Sequence, residues 1–311
     1  MDIKVKKLTI GIPTYNNSNG IKSQLDNILN QLKENPEVKN DVEILISDNS
    51  DNSETQHIIS DFIKEVPSLV YIKNDTNIGY DRNVDQVLKN ASSLFCWTLS
   101  DNDPIVKGGI KKIINVIKEN ADIPHILINI KEKNGNIRIF KNVEELSIEN
   151  NYEIMGGLVS QNIFNKRYLQ KDRSKYYGNY WFHLSVFLEI CAGRKILLLP
   201  NLLKQTLDTE CRWAKNGTTF TTYTNLHSIV MHLRDLGYSS EFLNIHNNNF
   251  IKGLPGQVFT SKLYGLKFNR KATVTLYEHS GKNFVTFMLC LMILATPVSI
   301  HKLAKNIWKK L

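Results

Sequence analysis

The sequence predicts an α/β fold in which helices cover both faces of a mostly parallel β-sheet. Between residues 8 and 120, short strand-like runs alternate with segments whose apolar residues recur at helical spacing. This is the pattern of repeated strand–helix–strand units. The strand-like runs are apolar along their length, as in VEILISD at 42–48, and such runs are typical of parallel strands that are buried on both faces.

Each element follows from its own stretch of sequence. The spacing of Ile21, Leu25, Ile28 and Leu32 predicts the first helix, because these residues fall on one helical face. Polar residues that can cap a helix come just before the second one. In chain order we expect strands at 8–15, 42–48, 69–75 and 93–103, and helices at 20–35, 54–66, 79–91 and 108–120.

The pattern weakens beyond residue 125. We expect a hairpin over 125–142 with an Asn-Gly turn. A glycine-opened loop leading into a helix is expected over 155–169. The segment 180–193 reads as a helix that ends in glycine, and it is followed by a strand at 195–200.

The composition limits the class of protein. The 311 residues are 42% apolar and 22% charged, enough for one α/β domain, expected at 1–215, and a helical region at 216–311. The four cysteines lack CxxC spacing, which argues against a zinc site and fits a reducing compartment. We expect no secretory signal peptide.

The net charge of +9 predicts a polyanionic partner, but without an arginine-rich segment or zinc finger we expect no nucleic acid.

Polar residues follow the end of each of the first four predicted strands. In parallel sheets the ligand binds beyond the carboxyl ends of the strands, so these residues are expected to meet in one cleft. They are Thr14, Tyr15 and Asn16, then Asp48 and Asn49, then residues 75–82, and finally Asp101, Asn102 and Asp103.

The last of these strand ends carries two carboxylates one residue apart. Asp101 and Asp103 stand at the end of the apolar run FCWTL and just before Pro104, where their like charges repel unless a counter-charge is present. A hard divalent cation, Mg²⁺ or Mn²⁺, takes carboxylate oxygens and bridges to phosphates. The alternative is a solvated polar turn.

Four motifs together resemble the family 2 glycosyltransferases of the GT-A fold. They are TIGIPTYNN, ILISDNSDNSE, NIGYDRNVD and FCWTLSDND, in this order over roughly 7–120. The SDND form looks most like the subgroup that adds sugars to bacterial surface polysaccharides such as O-antigen, abequosyltransferase-like enzymes among them. The resemblance implies a nucleotide-diphosphate sugar donor bound by 1–120 and a saccharide acceptor bound by 121–215.

The resemblance also implies roles for individual residues in the donor site. Asp103 would bind the metal with Asp101, which would also contact ribose or metal-bound water. Asp48 would accept a hydrogen bond from the nucleotide base, with a turn cap as the alternative. The remaining donor-site residues are Pro13, Thr14 and Tyr15 as a wall of the pocket, Asn49, Asn102, and Asp81 and Arg82 near nucleotide or phosphate, with a surface salt bridge as the alternative for Arg82.

The implied reaction is an inverting transfer in which the metal stabilises the leaving diphosphate and a general base deprotonates the acceptor. Family members carry an acidic pair where this chain reads YWFHL. His183 is next to that place, as a candidate base or third metal ligand; the alternative is a histidine packed beside Trp181 and Phe182. Weaker substitutes for the base are Asp172, Glu189, Asp208 and Glu210.

The C-terminal end predicts membrane contact. Residues 283–300 are the most apolar stretch, near the shortest length of a spanning helix but interrupted by Pro297. Residues 301–311 alternate lysines with apolar residues, as basic helices on membrane surfaces do. We expect 283–311 to dip into the cytoplasmic leaflet of the plasma membrane or to form a shallow re-entrant pair, peripherally or monotopically, with a buried core helix as the alternative. Such contact suits a lipid-linked saccharide acceptor.

Two rival functions stay open. A nucleotidyltransferase also uses metal-bound carboxylates, but it usually carries a basic, glycine-rich phosphate loop, and IPTYNNSNG at 12–20 has no lysine or arginine. An inactive module that binds glycans or lipids is disfavoured by Asp101 and Asp103 and favoured by the missing acidic base.

Overall fold

The computed structural model describes residues 6–66, 68–132, 135–204, 218–280 and 283–308. The chain divides into two compact units, residues 1–207 and 208–311. The boundary that we expected at 215/216 lies outside the described residues.

The first unit is built on one mixed eight-stranded sheet. Its strand order is β3-β2-β1-β4-β7-β5-β8-β6. Strands β1 to β4 run parallel, and β5 runs parallel to β8, whereas β7 is antiparallel to both of its neighbours and β6 is antiparallel to β8. The strands are β1 Leu8–Thr14, β2 Val42–Asp48, β3 Leu69–Lys73, β4 Phe95–Thr98, β5 His125–Asn129, β6 Arg138–Phe140, β7 Asn162–Asn165 and β8 Ile196–Pro200.

Helices cover both faces of this sheet, as the sequence predicts. Ile10 and Ile12 of β1 pack in one core cluster with the apolar faces of α1 and α4. Gly11 points to the other face, where a Cβ would come within 2.1 Å of Val87 in α3, so this helix packs directly on the glycine. The helices of the unit are α1 Ser18–Glu34, α2 Glu54–Glu65, α3 Tyr80–Asn90, α4 Gly109–Glu119, α5 Val143–Glu149 and α6 Phe182–Ile190.

Two expectations for the second half of the sheet are wrong. Strand β8 lies between β5 and β6, so the predicted hairpin over 125–142 does not form. The segment 155–169 contains the central strand β7 in place of the predicted helix. Its two asparagines, Asn162 and Asn165, donate hydrogen bonds from their side-chain amides to backbone carbonyls of neighbouring loops. These bonds stabilise an extended segment that has few apolar residues.

The second unit is helical in the part that is described. Its helices are α7 Thr218–His232, α8 Ser240–Leu263, α9 Arg270–His279, α10 Phe284–Ala295 and α11 Val298–Trp308. Leu254, Leu276, Cys290 and Leu294 belong to its buried core, so one side of the apolar stretch 283–300 packs inside the unit. Within the described ranges, no helix has both the length and the apolar character needed to cross a membrane. Lys309, Lys310 and Leu311 of the predicted basic tail lie outside those ranges.

Candidate functional site

The two carboxylates that follow β4 are each held by a hydroxyl group. Thr14, the last residue of β1, donates from Oγ1 to Asp101 Oδ2 over 2.6 Å. Ser160, just before β7, donates from Oγ to Asp103 Oδ2 over 2.6 Å. Ser160 Oγ also accepts from Ser100 N over 2.8 Å. Both carboxylates are therefore oriented by neighbours from other elements.

Helix α1 fixes the backbone of this loop. Gln24 Nε2 donates to the Asp103 carbonyl over 3.1 Å, and Asn17 Nδ2 donates to Asn102 Oδ1 over 3.0 Å. Asn17 also caps α1 by accepting from Gly20 N. Asn102 is thus tied to the start of α1.

Asp48 lies at the same edge of the sheet, because it pairs with Thr14 in the register of β1 and β2. Its carboxylate is fully buried. It accepts from Ser50 N over 2.7 Å, from the Tyr71 hydroxyl over 2.8 Å and from Lys73 Nζ over 3.3 Å. Burial, together with the hydrogen bond from its hydroxyl to Asp48, raises the pKa of Tyr71. The carboxylate is buried among these three donors, and its hydrogen bond to a nucleotide base stays a prediction.

A network of asparagine side chains joins the strand ends to α3. Asn83 Nδ2 donates to the carbonyls of Thr14 and Ser47 over 3.2 and 3.1 Å. Asn49 accepts from Asn74 Nδ2 over 2.8 Å and donates to the Gly79 carbonyl over 3.2 Å. The motif NIGYDRNVD carried the signal for Asn83, to which the sequence analysis assigned no role.

The loop after β1 presents Tyr15 at the surface. Pro13 is half-buried within β1, and Tyr15 is 48% exposed. The Tyr15 hydroxyl donates to Asp51 Oδ2 over 2.8 Å, and this bond raises the pKa of Tyr15. Asn16, with a φ of 48°, donates to the same carboxylate. The ring of Tyr15 is thereby tethered beside the carboxyl ends of β1 and β2.

Asp81 and Arg82, at the start of α3, have different surroundings. Asp81 is buried, and its Oδ2 accepts from Gly178 N over 2.8 Å and from Tyr180 N over 3.1 Å. Its Oδ1 is buried with no hydrogen-bond partner among the described residues, and desolvation raises the pKa of this carboxyl. The Arg82 guanidinium lies over the Tyr177 ring, 5.4 Å from the centroid, so it makes an aromatic contact.

His183 is buried and has contacts at both ring nitrogens. Because the Gly157 carbonyl can only accept, Nε2 carries the proton and donates to it over 2.8 Å, while Nδ1 accepts from the Tyr80 hydroxyl at 3.4 Å. Burial lowers the pKa of His183 to about 4. Among the described residues, no three or more His, Cys, Asp or Glu side chains are grouped so that they could hold a metal. His183 packs between Tyr80 and the Gly157 carbonyl, and its roles as base or third ligand stay predictions.

The other candidate bases are engaged elsewhere or lie outside the described residues. Asp172 accepts from Ser174 N over 2.9 Å, and Glu189 pairs with Lys175. Asp208 and Glu210 fall in the segment that is not described.

A buried ionic cluster near the site was missed by the sequence analysis. Asp85 of α3 is fully buried and accepts from Arg173 Nε over 2.8 Å, from Lys89 Nζ at 2.7 Å and from the Tyr177 hydroxyl. The partners of Asp85 from the loop before α6 are 88 and 92 positions away in the chain. The cluster therefore fastens this loop to α3.

Comparison with known proteins places the first unit in a family. The family model described as glycosyl transferase family 2 matches residues 9–181. This match confirms the resemblance that the strand-end motifs predicted. The chain is similar to an abequosyltransferase, RfbV, from Salmonella typhimurium, with 29% identity over 113 residues, 36% of this chain and 33% of that protein.

It is also similar to a GalNAc(5)-diNAcBac-PP-undecaprenol beta-1,3-glucosyltransferase from Campylobacter jejuni, with 27% identity over 133 residues, 42% of this chain and 40% of that protein. The match thus spans about a third to two fifths of the length of these curated relatives. Among solved structures, a mannosyltransferase from Pyrobaculum calidifontis in complex with GDP-Man and Mn²⁺ shares the fold, with a TM-score of 0.57 and 13% identity over 100% of this chain and 90% of that one.

Proposed function

Because the chain belongs to glycosyl transferase family 2, we propose that it transfers a sugar from a nucleotide-diphosphate donor to a saccharide during synthesis of a bacterial surface glycan. The similarity to two bacterial glycosyltransferases supports this substrate class. The observation that carries the proposal is the pair Asp101 and Asp103, each held by a hydroxyl at the edge where Asp48 and Thr14 end their strands.

In this proposal the nucleotide lies along the ends of β1 and β2. Tyr15, half exposed and tethered to Asp51, covers the base together with Pro13 and Thr14. Asp48 is fully buried and already accepts three hydrogen bonds, so we assign it to holding the Ser50 backbone and the Lys73 ammonium at the wall of the pocket.

Asp101 and Asp103 would hold a divalent cation, Mn²⁺ or Mg²⁺. The donor set fits such an ion, because it consists of the carboxylate oxygens of Asp101 and Asp103 in a loop that α1 and Ser160 keep in place. When bound, the ion supplies positive charge to the leaving diphosphate. Thr14 and Ser160 orient the two carboxylates, as partners behind metal ligands commonly do.

The transfer itself would be inverting, with the acceptor hydroxyl attacking from the face opposite the diphosphate. We assign His183 to positioning, because its proton is committed to the Gly157 carbonyl and a base with a pKa of about 4 is far from the operating pH that favours proton abstraction. It links Tyr80 of α3 to the segment that carries Ser160.

We further propose that the acceptor is lipid-linked and that the second unit contacts the membrane at the cytoplasmic face. Several apolar side chains of α10 are exposed, among them Phe284, Val285 and Met292. Residues 218–311 carry 11 Lys and Arg against 3 Asp and Glu, so this third of the chain holds +8 of the net +9 and suits an anionic surface.

The test is a panel of nucleotide sugars with the full chain, measured by calorimetry with Mn²⁺ and by product analysis. We expect one donor to bind in a cation-dependent way and to release a nucleoside diphosphate. In a parallel assay with nucleoside triphosphates and sugar 1-phosphates, release of pyrophosphate would indicate a nucleotidyltransferase. Binding of glycans without binding of any nucleotide sugar would indicate an inactive module.

A further inference from the structure

Three aromatic residues stand at the start of α3 and just before the start of α6. Tyr80 is 42% exposed and Tyr180 is 46% exposed, while Trp181 is partly buried. Tyr80 and Trp181 both pack near His183, with ring-centroid distances of 6.1 and 6.4 Å. We refer to Tyr80, Tyr180 and Trp181 as the aromatic rim.

The aromatic rim borders the carboxylate pair through the segment 157–160. A Cβ on Gly157 would lie 3.3 Å from the Trp181 ring, so the ring packs on this glycine, and three residues later Ser160 bonds Asp103. Tyr80 reaches the same segment through His183, which accepts from the Tyr80 hydroxyl at 3.4 Å and donates to the Gly157 carbonyl over 2.8 Å.

Tyr180 is held in an unfavourable backbone conformation. Its φ is 65°, a left-handed value that is strained for a bulky residue. Asp81 compensates by accepting from the backbone N–H groups of Gly178 and Tyr180, with a carboxylate that is itself buried. Such strain persists where the surrounding structure enforces it and often marks a functional site.

Tyr15 and Trp181 are tied to different strands of the sheet. Tyr15 stands at the β1–β2 side beside Asp51. Trp181 packs on Gly157, in the segment that leads into β7 on the far side of β4 in the strand order β2-β1-β4-β7, whereas Tyr80 follows Gly79, whose carbonyl accepts from Asn49 at the end of β2. A donor whose base contacts Tyr15 and whose diphosphate meets Asp103 would leave the β7 side, where Tyr180 and Trp181 stand, for the second substrate.

We propose that the aromatic rim is the platform for the acceptor saccharide, with Tyr180 stacking on the C–H face of a pyranose ring and Asp81 acting as the positioning residue for Tyr180. Aromatic walls with a few polar groups are typical of small-ligand sites, and a pyranose offers an apolar face to such a wall. The inference rests on the proposed function and extends it to the acceptor.

The test uses the full chain with UDP, GDP and Mn²⁺, and a panel of methyl β-glycopyranosides (glucoside, galactoside, N-acetylglucosaminide) observed by saturation-transfer NMR. In Tyr180→Ala we expect a loss of glycoside affinity of at least about 5-fold, since stacked aromatic contacts contribute roughly 1 kcal/mol or more, with nucleotide affinity unchanged. Tyr180→Phe keeps the ring and should bind as the parent does. Tyr264→Ala is the matched control, because Tyr264 is equally exposed, at 45%, in the second unit.

Asp81→Ala tests the positioning, because it removes the acceptor of the Gly178 and Tyr180 N–H groups, whereas Asp81→Asn keeps an oxygen that can accept from both. We expect glycoside affinity to fall in Asp81→Ala as in Tyr180→Ala and to be retained in Asp81→Asn. The inference is overturned if no glycoside binds the parent chain, if Tyr180→Ala binds glycosides normally, or if Tyr264→Ala loses them equally. Absent nucleotide binding with intact glycoside binding would instead refute the donor half of the proposed function.

Discussion

Ser160 donates a 2.6 Å hydrogen bond to Asp103 across 57 positions of the chain. The same hydroxyl oxygen accepts from the backbone of Ser100, so one buried side chain sets both the path of the loop after β4 and the orientation of its second carboxylate. The segment before β7 is therefore part of the proposed cation site, although it contributes no ligand of its own.

Ser160→Ala is predicted to weaken cation use. The substitution leaves the Ser100 N–H without its acceptor, which costs roughly 1–3 kcal/mol of stability, and frees the Asp103 carboxylate to rotate. Loss of such a supporting partner typically lowers metal affinity or activity by roughly 10–100-fold. The measurement is the Mn²⁺ concentration for half-maximal transfer. Ser93→Ala is the matched control, because the Ser93 hydroxyl is buried and has no hydrogen-bond partner in the described part of the chain; an equal effect in both variants would contradict the role of Ser160.

Asp103→Asn is predicted to abolish cation-dependent transfer while keeping the fold. An asparagine oxygen can still accept from Ser160, so the loop stays in place, but the charge that attracts the cation is gone. We expect the transfer rate to fall by roughly 100-fold or more at every Mn²⁺ concentration, with an unchanged melting temperature. The control is Asp122→Asn, at a carboxylate that is 89% exposed and pairs with Arg167. Full activity of the parent chain in EDTA would show that no cation is needed.

The strand-end carboxylates were predictable because their signals are local. The apolar run that stops at Asp101 is visible directly in the sequence. So is the alternation of strand-like and helical segments that places β1 to β4 side by side. Ser160 carries no such signal, since a serine in an irregular segment looks like any other until the fold brings it to Asp103. The same holds for Arg173, whose partner Asp85 is 88 positions away.

The predictions for the later strands were wrong for a related reason. The hairpin prediction for 125–142 assumed that neighbours in sequence pair in the sheet, but β8, some 70 residues further along, enters between β5 and β6. The strand β7 offers only Ile163 and Phe164 as apolar residues, too few for periodicity to indicate a strand. Long-range packing decides both cases.

His183→Gln is predicted to change stability more than catalysis. The native state keeps His183 neutral down to a pKa of about 4, whereas the unfolded chain takes up a proton near pH 6.5. The unfolded state therefore binds more protons between these values, and stability falls as the pH drops from 6.5 to 4, by about 3 kcal/mol for this group.

In His183→Gln this part of the pH dependence should disappear from denaturant unfolding curves, because glutamine can still donate to Gly157 but does not titrate. The transfer rate at neutral pH should stay within roughly 10-fold of the parent, below the 10²–10⁴-fold that a general base contributes. A larger loss, with normal donor affinity and a flattened pH–rate profile, would identify His183 as the base after all.

Membrane binding by the second unit is predicted to depend on the exposed side of α10. Deleting 283–311 would be a poor test, because Cys290 and Leu294 are buried in the core of the unit and their removal would unpack it. Replacing Phe284, Val285 and Met292, which are 71, 75 and 59% exposed, by serine or glutamine leaves that core intact. Each buried apolar side chain contributes roughly 1.5–3 kcal/mol, so the triple variant should lose most of its affinity for phosphatidylglycerol vesicles in co-sedimentation.

The control for this prediction replaces Ile139 and Ile148 of the first unit, which are 54 and 58% exposed, and these changes should leave vesicle binding intact.

Because residues 218–311 are strongly basic, binding should also weaken as salt screens the lysines and should be absent with neutral phosphatidylcholine vesicles. Equal binding to neutral and anionic vesicles would remove the electrostatic part of the proposal. Unchanged binding of the triple variant would remove α10 as the contact, since the substituted side chains are the apolar surface that it exposes most.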